Sequence, residues 1–257
     1  PDIRFAIGSS LYPTFSRQPH LTDEFLAVAD TSKTEFHKPF GGTPPGTVPD
    51  AAAPSWDIQT ALGWSFTRDS SGGRPPLMWI PFITRETEAL YSSAAAYSYG
   101  CVASLHIRAY NRGSGEPPPL ETSRALFGSS FERGDRVSPS LAHTRPWGRA
   151  AIHISERARN QHLDSETALW QHVFGPVLGA FEALKEAHIP TITLNDRQLA
   201  LGVPEEIRVL VLPNPKALNA IRRNAVERAR NRGVRVIRLD PDGWLQPERK
   251  SQRKKTL

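Results

Sequence analysis

Residues 147–239 contain the stretch that decides the fold, because their apolar period switches repeatedly between two and about 3.6 residues. The segments, in order, are AAIHI (150–154), WQHVFGPVLGAFEALKEAH (170–188), TITL (191–194), IRVLVL (207–212), AIRRNAVERARNR (220–232) and VRVIRL (234–239). The short apolar segments predict strands, and the two long amphipathic segments predict helices. Strands that alternate with helices of this length predict an α/β chain whose parallel sheet is covered on both faces.

The longer of the two predicted helices carries a single apolar stripe. Its members recur with the spacing of one helix face, and they are Trp170, Val173, Phe174, Val177, Leu178, Phe181 and Leu184. A stripe of this kind packs on a sheet. Asn219 is placed to cap the second helix, and Gly233 is placed to end it before the last strand. Together these features predict a flavodoxin-like doubly wound sheet.

The composition is that of a globular chain without disulfides. The sequence has 257 residues, of which 39% are hydrophobic and 23% charged, so it can form one large domain or two ordinary ones. The single cysteine, Cys101, excludes an internal disulfide and a cysteine-rich metal site, and it leaves the compartment open. No apolar run approaches the roughly 18 to 20 residues that a bilayer-crossing helix needs, so we expect no membrane partner.

The start of the sequence indicates a part of a longer protein. The first residue is Pro1, and the only methionine is Met78. Residues 1–7 enter an apolar strand at once, without the charged and apolar regions of a leader peptide. We therefore expect the sequence to be cut from something longer.

The net charge of +6 is concentrated late in the chain. Five arginines share the helix at 220–232, and further basic residues lie in a tail over residues 240–257; they are Arg222, Arg223, Arg228, Arg230, Arg232, Arg249, Lys250, Arg253, Lys254 and Lys255. A basic tail can hold nucleic acid electrostatically. Because no stacking aromatic residues are interleaved and no nucleic-acid motif is present, we favour a solvated helix face and a disordered end.

The first half of the chain also alternates strands and helices. Apolar segments predict four strands, near Ile3, Phe25, Leu77 and Val102. Helices are predicted at 56–66, at 85–99 after a capping Thr84, and more weakly at 120–131. The polar, proline-bearing run 133–146 is the predicted boundary, so we expect one domain over 1–145 and another over 147–239.

The second half resembles a known domain. The segments that carry the resemblance are GRAAIHISERARN (148–160), GAFEAL (179–184), AHIP (187–190) and VLVLPN (209–214). As a set they resemble the class I glutamine-amidotransferase-like domain of certain glycoside hydrolases, similar to bacterial beta-galactosidases with a trimerisation domain. In those proteins the domain follows a (β/α)8 barrel. The resemblance implies that residues 1–145 are the last four βα units of such a barrel, and that the second domain could make homo-oligomer contacts.

The second half lacks the nucleophile of an amidotransferase. That chemistry needs a cysteine thiolate on a sharp strand-to-helix turn, with a histidine base nearby. Cys101 lies in the other half and enters an apolar strand directly after Gly100, which predicts an inert buried thiol. The histidines of residues 147–239 show no metal spacing, because His162 and His172 are too far apart for one helix face; they are His153, His162, His172 and His188. We predict no glutaminase activity, no metal and no cofactor.

Catalytic candidates follow from the implied barrel, whose chemistry takes place at the carboxyl ends of its strands. The residues that fall after the four predicted strands are Ser9 and Ser10, then Asp30, Lys33 and Glu35, then Pro81 and Phe82, then His106 and Arg108. Glycosidases use two carboxylates, and Asp30 and Glu35 are the only acids at a predicted strand exit. Lys33 between them could keep one ionised. The alternative is a helix-capping Asp30 and a solvated loop Glu35.

Candidates for substrate binding are basic, acidic and aromatic residues near the same positions, and they are Lys33, His37, Arg68, Asp69, Trp79 and His106. Indole faces cover the apolar faces of pyranose rings, while charged groups bind hydroxyls. For Trp56 and Trp64 a core position is favoured. Asp69 is as readily a turn former, and His106 as readily a buried, hydrogen-bonded histidine.

The resulting functional hypothesis is hydrolysis of O-glycosidic bonds by a carboxylate pair in the intact, longer protein. The second essential acid is expected on a strand outside this sequence, so the chain by itself need not be active. The competing hypothesis is a non-enzymatic carbohydrate-binding or oligomerisation protein. The expected partners are a carbohydrate substrate and, through residues 147–239, further copies of the chain.

Overall fold

The computed structural model describes residues 6–9, 31–35, 56–72, 74–107, 120–141, 144–239 and 245–246. These residues form two sheets whose strands are parallel except at one edge, with helices between the strands. The predicted α/β class is therefore confirmed. Within the described ranges, no helix combines the length and the hydropathy that a membrane span requires.

The first sheet contains four parallel strands in sequential order, β1-β2-β3-β4. The strands are β1 (Ala6–Ser9), β2 (Thr31–Glu35), β3 (Leu77–Ile83) and β4 (Val102–Ile107). Two of the predicted strands, near Leu77 and Val102, are confirmed at those positions. Residues 25–29, which predicted the second strand, lie outside the described residues, and the strand that pairs with β1 and β3 begins at Thr31.

Three helices accompany the first sheet: α1 (Trp56–Ser70), α2 (Glu86–Ser98) and α3 (Leu120–Leu141). Trp64 is only 2% exposed, so its predicted core position is confirmed. Thr84 does not cap α2 through its side chain as predicted; its backbone N–H and its hydroxyl instead donate to the Glu88 carboxylate, at 2.9 and 3.0 Å. Gly100 has a φ of +70°, which ends the helix in the left-handed conformation that glycine tolerates.

Helix α3 runs through much of the segment predicted as a polar boundary, so the prediction of an irregular run from residue 133 is wrong up to Leu141. Pro139 lies inside this helix and lacks the N–H that would pair with the Asp135 carbonyl. The Ser138 hydroxyl donates to that carbonyl instead, at 3.4 Å. Gly134 lies against the Tyr97 hydroxyl of α2, and a β-carbon there would overlap with it. The helix therefore persists because it packs on α2.

The second sheet has the order β6-β5-β7-β8-β9, with only β9 antiparallel. Its strands are β5 (Ala150–His153), β6 (Thr191–Leu194), β7 (Val209–Leu212), β8 (Arg235–Leu239) and β9 (Leu245–Gln246). Its helices are α4 (Glu156–Asn160), α5 (Glu166–Leu169), α6 (Gly175–Glu186), α7 (Asp196–Leu201) and α8 (Ala220–Asn231). Every strand and helix predicted for residues 147–239 is confirmed within a few residues, while the helices α4, α5 and α7 and the short strand β9 were not predicted.

The predicted helix at 170–188 is interrupted at its start. Trp170–Phe174 form a π-helical turn, and the regular helix α6 begins at Gly175. Pro176 has no N–H to pair with the His172 carbonyl four residues earlier. The Asn214 side-chain amide donates to that carbonyl. A residue from the loop after β7 thus replaces the hydrogen bond that the proline removes.

One hydrophobic cluster joins the two halves of the chain. Its buried members include Trp64 and Phe66 from α1, Ile152 from β5, and Val177 and Phe181 from α6. Helix α1 packs directly on β6 and α6. Cys101 belongs to the same cluster, and burial raises the pKa of its thiol, which confirms the predicted inert cysteine. A second cluster occupies the other face of the second sheet.

Candidate functional site

The carboxyl edge of the first sheet holds the predicted catalytic position. Glu35 is the last residue of β2, and Lys33 lies in the same strand. The sequence predicts Lys33 and Glu35 in a loop after the second strand. The strand reaches them because this polar segment, TSKTE, pairs on both sides, with β1 and with β3. Asp30 and His37 lie outside the described residues.

The neighbouring strands bring two further candidates to this edge. Glu35 is paired with Trp79 of β3, and Trp79 is paired with Ser104 of β4. His106 follows two residues later, next to the end of β4. Neighbouring strands lie about 4.8 Å apart, so the backbones of Glu35, Trp79 and His106 share one region of the sheet.

Pro81 and Phe82, which the sequence places at the exit of the third strand, lie inside β3. The pairing with β4 shifts register between Ile80 and Ile83. Pro81 cannot donate a ladder hydrogen bond, and an irregularity is where a strand accommodates such a residue. The strand therefore continues past the proline to Ile83.

Arg68 and Asp69 lie at the opposite edge of the sheet, because α1 ends where the chain turns into the start of β3. Arg68 Nε donates to Asp69 Oδ1 at 2.8 Å, and Arg68 Nη2 lies 2.7 Å from the same oxygen. The backbone N–H and the hydroxyl of Thr193 donate to Asp69 Oδ2, at 2.7 and 2.9 Å. The structure thus separates this pair from the Glu35 edge; a role in sugar binding stays a prediction.

Asp69 joins the two halves of the chain. Its carboxylate accepts from Thr193 on β6, and its backbone carbonyl accepts from Gln198 Nε2 at 2.6 Å. Burial raises the pKa of Asp69, although the charge of Arg68 and the hydrogen bonds from Thr193 oppose that rise. The sequence contains no signal for this contact, since Asp69 and Thr193 are 124 residues apart.

The carboxyl edge of the second sheet holds a buried ionic cluster that sequence reasoning missed. His153 Nε2 lies 3.0 Å from Asp196 Oδ1, and the ring nitrogen donates because a carboxylate only accepts. Asp196 also accepts from the Arg157 backbone N–H at 3.0 Å and faces Arg222 Nε at 3.2 Å. Burial opposes its ionisation, but the hydrogen bond and charge of His153, the Arg157 N–H and Arg222 outweigh burial and lower the pKa of Asp196.

His162 and His172, which are too far apart in sequence for one helix face, are neighbours in the structure. The rings of His162 and His172 have centroids 5.3 Å apart. They come from different elements, the turn after α4 and the π-helical turn, so helix spacing does not govern their distance. Within the described ranges, no three His, Cys, Asp or Glu side chains gather closely enough to hold a metal ion.

The fold class defined by these observations is α/β, with two parallel sheets joined through α1. No protein-family model matches the sequence. No curated protein matches it at a significant level.

Two solved structures share the fold. One is the crystal structure of a beta-galactosidase from the psychrophilic Marinomonas ef1, with 11% identity, a TM-score of 0.56, and coverage of 86% of this chain and 38% of that chain. The other is a polyextremophilic beta-galactosidase from the Antarctic haloarchaeon Halorubrum lacusprofundi, with 11% identity, a TM-score of 0.60, and coverage of 95% and 39%. This chain spans less than half the length of either. At this identity the likeness concerns the fold alone.

Proposed function

We propose that the chain is part of a carbohydrate-active, glycoside hydrolase-like protein that hydrolyses O-glycosidic bonds in its intact form. The observation that carries the proposal is the likeness of 86% and 95% of the chain to two beta-galactosidases. The position of Glu35 at the carboxyl edge of a parallel sheet supports it, because barrel enzymes place their catalytic residues at that edge.

The proposed architecture has two units. Residues 1–145 are the last four βα units of a TIM-type barrel, and the four parallel strands in sequential order support this assignment. Residues 147–239 are a flavodoxin-like domain, supported by a strand order that reads 2-1-3-4 when β5 is counted as the first strand. Residues 240–257 form a basic tail, of which Leu245–Gln246 pair with β8.

In the proposed mechanism Glu35 is one catalytic carboxylate and Asp30 is its neighbour. Lys33 lies two residues before Glu35 in the sequence, and its positive charge would favour an ionised Glu35. The second acid lies on a strand outside this sequence. Trp79, His106 and His37 would contact the sugar, and the mechanism requires no cofactor or metal.

The test is an assay of the intact protein on a panel of aryl α- and β-glycosides, with Glu35→Gln beside a matched control, Glu205→Gln. Glu205 is exposed in the second half, far along the chain from the proposed site. We expect kcat/KM to fall by about a hundredfold or more in Glu35→Gln, because an amide can act neither as a base nor as a nucleophile, and to stay unchanged in the control. Equal turnover in both variants would remove Glu35 from the mechanism.

The second candidate function is a non-catalytic carbohydrate-binding or oligomerisation protein with a degenerate amidotransferase-like domain. Two exposed apolar side chains on adjoining helices favour it, Leu201 on α7 at 79% exposure and Ile221 on α8 at 61%. Such side chains become buried in subunit contacts. In this case the molar mass in solution exceeds that of one chain, a double variant Leu201→Ser/Ile221→Ser lowers it, and no aryl glycoside is turned over.

A further inference from the structure

A cavity of about 260 Å³ lies at the amino edge of the first sheet, away from Glu35. The ends of α1, α2 and α3 surround it, together with the segment that leads into β5. The lining residues that carry the argument are Arg68, Arg74, Arg145, Tyr97 and Trp147. The cavity therefore lies where the two halves of the chain meet.

The cavity collects positive charge. Three of its lining residues are arginines, and no acidic residue is among the described residues that line it. Asp69, which forms an ion pair with Arg68, is not among the residues that line the cavity. Arg145 makes no ion pair with the part of the chain that the structure describes, and its side chain is exposed. Guanidinium groups that converge on one space repel each other, so the arrangement favours an anion between them.

Arg68 is held in position for such an anion. Its Nε and Nη2 bind Asp69, and its Nη1 donates to the Tyr99 carbonyl at 3.4 Å. A guanidinium carries five N–H donors, so two remain beyond these three contacts. Arg74 is oriented as well, since its Nε donates to the Ser71 carbonyl at 3.0 Å. Fixed arginines bind an oxyanion at a lower entropic cost than mobile ones.

The cavity also offers an aromatic surface. Trp147 is 57% exposed, and the Arg149 guanidinium lies 5.5 Å from the centroid of its ring. Tyr97 is a second aromatic residue of the lining. Exposed indoles cover the apolar faces of sugar rings, and arginines are the preferred partners of phosphate groups.

We propose that this cavity binds a phosphate-type oxyanion, either free phosphate or the phosphate group of a small sugar phosphate. Arg68, Arg74 and Arg145 would hold the phosphate oxygens, and Trp147 would contact an attached sugar ring. The site is separate from the Glu35 edge and does not depend on glycoside hydrolysis.

The test measures binding to the 257-residue chain by titration calorimetry at constant ionic strength, with inorganic phosphate, glucose 6-phosphate, glucose and sodium chloride as separate probes. We expect both phosphate compounds to bind and glucose and chloride not to bind. Tighter binding of glucose 6-phosphate identifies a sugar phosphate as the ligand, and equal affinity identifies free phosphate. Binding of neither phosphate compound above the chloride control overturns the proposal.

Variants locate the binding. Arg145→Glu should weaken phosphate binding about tenfold or more, because it replaces a charged donor by a repelling carboxylate. The matched control is Arg228→Glu on the exposed face of α8, which makes the same change of charge outside the cavity and should leave the affinity within about twofold. Thr144→Glu places a carboxylate in the lining while all three arginines remain. It should weaken phosphate binding in the same way, and it replaces Arg145→Glu if that variant does not fold. Equal losses inside and outside the cavity overturn the proposal.

Discussion

Two buried aspartates, Asp69 and Asp196, respond differently to similar surroundings. Their side chains are 3% and 6% exposed, and each faces an arginine and a backbone N–H. Burial dominates at Asp69 and raises its pKa, whereas His153, Arg157 and Arg222 outweigh burial at Asp196 and lower its pKa. The direction of the pKa shift of a buried carboxylate is therefore decided by the balance between burial and the opposing charges and hydrogen bonds.

The two carboxylates also hold different parts of the molecule together. Asp69 connects α1 of the first half to β6 of the second. Asp196 connects β5, α4 and α8 within the second half. Loss of one should loosen the junction between the halves, and loss of the other should loosen a single sheet.

The largest expected effect comes from Asp69→Ala. It leaves the Arg68 cation and the Thr193 backbone N–H without their partner, and removal of one member of a buried pair costs about 3–5 kcal/mol. The free energy of unfolding from urea denaturation measures the loss, with the exposed Glu205→Ala as control. A loss no larger than that of the control would show that the junction does not depend on this carboxylate.

A smaller effect on the free energy of unfolding is expected from a change of pH, and its sign differs between Asp69 and Asp196. The lowered pKa of Asp196 stabilises the fold above the ordinary value of 3.8, and this stability is lost as pH falls from 3.8 through the folded pKa. The raised pKa of Asp69 means that its ionisation lowers the free energy of unfolding above that raised value. This destabilisation disappears as pH falls from the raised value towards 3.8. As pH is lowered, the free energy of unfolding should therefore fall less steeply in Asp196→Asn than in the unchanged protein, and more steeply in Asp69→Asn. Identical pH profiles for the two variants would contradict the comparison.

The smallest effect is expected from Thr193→Val, which removes one hydroxyl donor to Asp69 while the backbone N–H remains. A hydrogen bond to a charged group contributes about 1.5–3 kcal/mol, so we expect a loss near the lower end of that range. Thr191→Val is the control, because the Thr191 hydroxyl bonds only the Ile189 carbonyl two residues away. The difference in thermal unfolding midpoint between the two variants measures the contribution. No difference would show that the Thr193 hydroxyl adds nothing to the contacts that Arg68 and the Thr193 backbone N–H make with Asp69.

The candidate site was predictable in part. Glu35 and His106 are predicted near strand ends and Trp79 as an aromatic that contacts the sugar; the register pairs Glu35 with Trp79, and Trp79 with Ser104, two residues before His106. The composition around Arg68 and Asp69 predicts a loop, but α1 continues through both residues to Ser70. Composition does not show where α1 ends, because the helix packs on β6 and α6, which are far away in the sequence.

The sequence by itself determined the α/β class, the strands and helices of residues 147–239, and the burial of Cys101 and Trp64. Each of these follows from local apolar periodicity, which the packed sheets simply preserve. Only the tertiary structure decided that the polar segment Thr31–Glu35 is a strand and that α3 continues past Pro139. It alone joined Asp69 to Thr193 and His153 to Asp196, because such contacts depend on how distant segments pack and not on local propensity.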